Sequence, residues 1–181
     1  EEGESEEVVP ELLLPQVDLA ALREINEDAE SWIYFPDSQI NYPVIYAGDN
    51  EFYLNHLIDG SYNGAGTLFV EKQNGRNFAD TNTLIYGHNM KNGSMFGQLR
   101  KFKTKDYYEQ NPYFYIYTPD GKEVKYQIFS VCIVEDTSNS YTRFYNSDEE
   151  YLDYLNYVKS IARYDTGVEF NAESKLVSLS T

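Results

Sequence analysis

The side chains best suited to nucleophilic or acid–base chemistry in this chain are two histidines, His56 and His88, and one cysteine, Cys132. A thiol becomes a nucleophile once a neighbouring base takes its proton, and histidine is the side chain whose charge changes near neutral pH. His88 follows the apolar run 83–86 and opens into the polar, glycine-containing stretch 89–93. Strand ends that open into loops are where a scaffold displays reacting groups. A hydrogen-bonded histidine at a barrel rim is the competing reading. Around His56 no reacting partner is visible. Cys132 lies inside the apolar stretch 126–134, read as a strand interior, where free cysteine packs as a small hydrophobe.

Metal and cofactor chemistry find no footing in these residue types. Neither histidine has a second His or Cys at ligand spacing, and a lone cysteine permits neither an internal disulfide nor a thiolate cluster. The stretch 59–64 has the look of a calcium loop but lacks its run of acids and its closing Glu. Asn92-Gly93-Ser94 matches a glycosylation sequon, a pattern short enough to arise by chance. No glycine-rich phosphate loop is present. Thirty acidic residues against 14 basic ones give a net charge of −16, which repels a phosphate backbone and argues against nucleic acid as a partner. No stretch is apolar for long enough to cross a bilayer. No signal peptide opens the chain and Glu1 is not a natural start, so a further N-terminal segment is expected before it.

The elements that must position these groups come next. Five acids in the first seven residues read as a solvated tail, and with the Pro-broken segment after them they form a tail and linker over residues 1–17. Residues 18–181 are long enough for one domain with its own core. Asp18 precedes Leu19, Leu22, Ile25 and Ala29 at helical spacing, which predicts a helix over 19–31. β-branched and aromatic runs between turn residues predict strands over 42–47, 66–71, 83–86, 112–118, 123–134 and 175–179, with a hairpin turn at Pro119-Asp120-Gly121. A short helix over 95–102 and a longer one over 147–162 interrupt them, the second with Tyr151, Tyr154, Leu155, Val158 and Ile161 on one stripe. Strands this short and sequential suggest a closed or nearly closed antiparallel barrel.

The run Thr83-Leu84-Ile85-Tyr86-Gly87-His88-Asn89-Met90, with Ser94-Met95-Phe96 and Leu99 after it, resembles the histidine motif of class B sortases. Asn41-Tyr42-Pro43-Val44 with Asp49-Asn50 and Tyr53-Leu54, preceded by Trp32-Ile33, resembles that family's first strand and loop. Lys175-Leu176-Val177-Ser178-Leu179-Ser180-Thr181 resembles the strand that runs into its nucleophilic cysteine. The helix over 147–162 stands where class B members carry a long one.

The resemblance implies a mainly β, sortase-type closed barrel with an N-terminal helix, a long helix before the last recorded strand, and a further strand after it. It implies a cysteine transpeptidase that cleaves a sorting signal of the Asn-Pro-x-Thr kind after Thr and passes the acyl group to an amine of cell-wall peptide or of a pilin. His88 would be the acid and base. The cysteine is expected directly after Thr181, and an arginine for the oxyanion on the strand beyond; neither Cys132 nor Arg143 stands in either place. The implied substrate groove holds Asn50, Leu54, Tyr86, Thr137, Tyr141, Thr142 and Ser180. No cofactor or metal is implied, and the expected location is the outer face of a bacterial membrane, held by an N-terminal anchor. A sortase-like module that binds peptides without cleaving them is the alternative, and an unrelated surface-adhesion barrel is a more remote one.

Overall fold

A computed structural model describes residues 14–181. The predicted acidic tail over 1–7, and most of the linker after it, lie outside the described residues. Asp18 caps helix α1 (Leu19–Ile25) as expected, its Oδ1 accepting from the Ala21 N–H at 2.9 Å. The helix stops well short of residue 31 because Asn26 turns to extended backbone, and its amide donates to Tyr53 Oη and to the Ile58 carbonyl instead. The residues beyond form strand β1 (Ala29–Tyr34), which the helical spacing had hidden.

Six more strands follow: β2 (Asn41–Ile45), β3 (Leu68–Val70), β4 (Asn82–Tyr86), β5 (Tyr113–Tyr117), β6 (Glu123–Gln127) and β7 (Leu176–Ser180). All seven join one sheet in the order β6-β5-β1-β2-β3-β4-β7. β1 is an interior strand, between β2 and β5, and its burial on both faces explains why no period-two alternation marks it. The expected antiparallel pairing holds for most neighbours, but β2–β3 and β4–β7 are parallel. Parallel neighbours need long crossovers, and the segments 46–67 and 87–175 supply them.

The sheet curls around Ile33, Phe35, Val44, Leu68, Ile85 and Phe96, all essentially excluded from solvent. Phe35 stacks on Phe114 with ring centroids 4.8 Å apart. The barrel is nearly closed: β6 and β7 are its two edges and face each other across a cavity of about 560 Å³ lined by Phe114, Tyr126, Val131, Leu155 and Leu179 among others.

Two helices and several 3-10 turns fill the crossovers. The short helix expected over 95–102 is the 3-10 segment Phe96–Lys103, followed by α2 (Lys105–Gln110), which was not expected. The long helix is α3 (Asp148–Ser160), whose Tyr151, Tyr154, Leu155 and Val158 are buried as the stripe predicted. Ser147 caps it, accepting from the Glu150 N–H, while Glu150 reaches back to the Asn146 N–H, and three acids face the positive end of the helix. The hairpin at residues 119–121 is present, with Gly121 at φ +78°.

The strand expected over 123–134 ends at Gln127. Beyond it the backbone turns away to α3: Ser130 Oγ donates to the Val158 carbonyl, and the Val131 carbonyl accepts from the Arg163 N–H. Apolar, β-branched residues there serve to cover a cavity, not to extend a ladder.

Phe96 is fully buried and Ser147 acts only as a cap, so Phe96→Ala should cost about 3–5 kcal/mol of stability and Ser147→Ala about 1 kcal/mol, read by urea unfolding. Equal losses would show that the barrel core is not organised around Phe96.

Candidate active site

β4 and β7 run parallel with Tyr86 opposite Ser180, and the Gly87 N–H extends the ladder to the Ser180 carbonyl at 3.0 Å. Both strands therefore end at one rim, and His88 and Thr181 emerge there side by side. Gly87 is required just before the histidine, because a Cβ at that position would collide with Leu68 and come within 2.6 Å of Phe96 Cδ2. The His88 carbonyl accepts from the Phe96 N–H at 3.0 Å, and a bridge between Asn89 and Met95 closes the loop behind it. The ring itself meets the Leu54 carbonyl, with Nε2 to oxygen 2.5 Å.

A second set of groups stands behind the histidine. Glu71, 4% exposed, closes β3 and accepts hydrogen bonds from Asn50 Nδ2 at 2.9 Å and Tyr86 Oη at 2.8 Å. Asn50 in turn accepts from the Lys72 N–H through its side-chain oxygen. Asn50 and Tyr86, both expected in the groove, are thus tied together by an acid not expected there. Its one signal was an acidic residue directly closing an apolar strand. Arg143 joins from the loop before α3, donating to the Tyr141 carbonyl at 3.0 Å and to Gln73 Oε1 at 2.5 Å. Tyr141 Oη lies 3.0 Å from Ser180 Oγ, so this loop reaches the end of β7.

Burial alone would raise the Glu71 pKa, but the hydrogen bonds from Asn50, Tyr86 and the Gln73 N–H, with the charge of Arg143, outweigh it and hold the carboxyl below its ordinary value of 4.5. Burial, and then the hydrogen bond to Glu71 and its charge, push the Tyr86 phenol well above its ordinary range. Tyr86 stays a donor and Glu71 an acceptor.

The sortase-domain family pattern matches residues 33–172, most of the chain. The chain belongs to the sortase family. Its relatives within that family are class B members. Sortase B of Listeria monocytogenes is 34% identical over 167 residues, a stretch that takes in 91% of this chain and 66% of that protein. This chain thus spans just under two thirds of the length of that curated relative. A crystal structure of a Bacillus anthracis protein described as similar to sortase B superposes with a TM-score of 0.84 at 32% identity, covering 89% of this chain and 75% of that one. A Staphylococcus aureus sortase B–substrate complex shares the fold, with a TM-score of 0.85 at 23% identity over 89% of this chain and 74% of that one.

Not every residue expected in the sortase groove is drawn into the network. Thr137 is exposed in the turn over 135–138, and no side-chain hydrogen bond ties it to the others. Thr142 is exposed as well and takes part through its carbonyl, which accepts from Asn82 Nδ2 and Tyr145 Oη. Leu54 is 42% exposed and contributes the carbonyl that meets His88. Cys132 sits partly buried in the non-strand segment that lines the cavity, a correction to its expected place in a strand interior. Burial pushes its thiol pKa up, so it keeps its proton and packs as an apolar group. His56 Nδ1 meets the Phe52 carbonyl at 2.7 Å and its ring stacks on Phe52 at 4.0 Å, a satisfied histidine. Among the described residues no group of three or more His, Cys, Asp or Glu is placed to hold a metal.

Because the folded pKa of Glu71 is depressed, its contribution to stability is complete above the unfolded value near 4.5 and is lost as pH falls through the lower folded value. Urea unfolding at stepped pH should therefore show a drop on acidification that is smaller in Glu71→Gln. A profile unchanged by that substitution would mean the carboxylate does not hold the network together.

Proposed function

We propose that this protein is a cysteine transpeptidase that cleaves a sorting signal of the Asn-Pro-x-Thr kind after Thr and transfers the acyl group to an amine of cell-wall peptide or of a pilin. The observation that carries this reading is the placement of His88 beside the end of β7, set by the parallel register of Tyr86 with Ser180. A group directly after Thr181 would enter the space next to the imidazole. The reading puts a cysteine there and an arginine on a strand beyond, both outside this sequence. The facing edges of β6 and β7 leave room for such a strand.

The chemistry follows from what each group lacks alone. A neutral thiol is a poor nucleophile and an amide nitrogen a poor leaving group, so His88 takes the proton from the first and returns it to the second. The arginine stabilises the oxyanion of the tetrahedral intermediate. The thioester that remains is opened by the acceptor amine. Asn50, Leu54, Tyr86, Tyr141, Thr142, Ser180 and Thr137 form the walls against which the sorting signal lies. The Staphylococcus aureus neighbour that shares this fold is described as a sortase B–substrate complex, which is in keeping with a peptide-binding reading. In the same reading the enzyme works on the outer face of the membrane, held by an N-terminal anchor, and uses no cofactor.

Incubating the full-length protein with a fluorogenic Asn-Pro-x-Thr peptide should release the fluorophore. His88→Ala should slow that release by about 10²-fold or more, and Cys132→Ala should leave it unchanged. Cleavage that survives His88→Ala, or a residue other than cysteine after Thr181, would overturn the reading, the latter leaving a module that binds peptides only.

A further inference from the structure

The turn Phe52–Leu54 holds both histidines of the chain by backbone carbonyls: Phe52 O meets His56 Nδ1 at 2.7 Å, and Leu54 O meets His88 Nε2 at 2.5 Å. A carbonyl has no proton to give, so in each pair the ring nitrogen must donate. That requirement fixes the tautomer of a neutral imidazole. His56 carries its proton on Nδ1 and His88 on Nε2, opposite choices made by one turn.

The turn is well placed to impose such a choice because it is tied down from several sides. Asp49 Oδ1 accepts from the N–H groups of Glu51 and Phe52, at 2.7 and 2.8 Å. The Tyr53 ring is buried against Ala29, Ile45 and Phe69, and its carbonyl accepts from the Thr67 N–H at 2.9 Å. Glu71 grips the same loop through Asn50. Gly66 makes the arrangement possible. It lies at φ +63°, and a Cβ there would collide with the Tyr53 carbonyl and stand 2.7 Å from the Leu54 oxygen that meets His88.

We infer that the Leu54 carbonyl is a tautomer clamp on His88, kept in place by Gly66, and that Nδ1 of His88 is therefore the nitrogen that exchanges protons during catalysis. The second half rests on the transpeptidase reading above. Among the described residues Nδ1 takes part in no hydrogen bond, which leaves its lone pair free. Neutral His88 takes the thiol proton at Nδ1, giving imidazolium and thiolate. The thiolate adds to the Thr carbonyl carbon, the C–N bond breaks, and Nδ1 returns the same proton to the departing amide nitrogen. Thioester and free amine result, with the ring back in its starting tautomer and Nε2–H bonded to Leu54 throughout. Gly66 is a positioning residue that acts through Leu54.

The test is nuclear magnetic resonance of the full-length protein labelled with 15N-histidine, at a pH where both rings are neutral. His88 should give the long-range cross-peak pattern of the Nε2–H tautomer and His56 that of Nδ1–H, assigned by loss of one set in His56→Gln. A wild-type His88 protonated on Nδ1 overturns the clamp without need of any variant. In Gly66→Ala the displaced carbonyl should shift His88 toward a mixture of tautomers, with kcat down about tenfold. Gly121→Ala carries the same left-handed strain, at φ +78° with open space around it, and should move neither. An Nε2–H spectrum in a protein that does not cleave the peptide upholds the clamp and overturns the transpeptidase reading.

Discussion

Parallel pairing of β4 with β7 is the constraint from which the site follows, since two parallel strands must deliver their last residues to the same rim. His88 leaves one of them and Thr181 the other. The remaining elements serve this juxtaposition: β3 brings Glu71 to the same end, the turn over residues 52–54 covers the histidine, and the loop before α3 lays Tyr141 on Ser180. Moving any of these strands by one residue would turn its outward side chains inward and dissolve the arrangement.

Charge is distributed with a similar economy of position. The chain carries an excess of acids at its surface, yet the acid at the site is buried and fully employed, with donors on both oxygens and a guanidinium nearby. A carboxylate held in this way is a fixed acceptor, not a proton carrier. Arg143 completes the picture from the loop before α3, bonded to Gln73 and near enough for its charge to act on Glu71.

Much of this was legible before any coordinates. The apolar run that breaks at Gly87-His88 into polar residues marked the histidine as a displayed group, and the capping of α1 read correctly from Asp18. β1 escaped because its two-sided burial, with Glu30 and Ser31 inside, erases the alternation by which strands are recognised. The opposite error arose at residues 128–134, where residues typical of strands line a cavity instead. Parallel pairings and the role of Glu71 were illegible for a common reason: both depend on partners across long loops. Arg143 finds Gln73 some 70 residues away, and nothing local to either announces it.

That distance has a kinetic meaning. Ser178 Oγ bonds to Asn82 across 96 residues of chain, and the whole β4–β7 ladder closes a loop of similar length. The entropy lost on closing so long a loop must be offset by contacts already made within it, which places this ladder among the late events of folding. A nascent or partly folded chain would then have its barrel largely built while the imidazole still faced an empty rim. The two strand ends would come together only in the completed molecule.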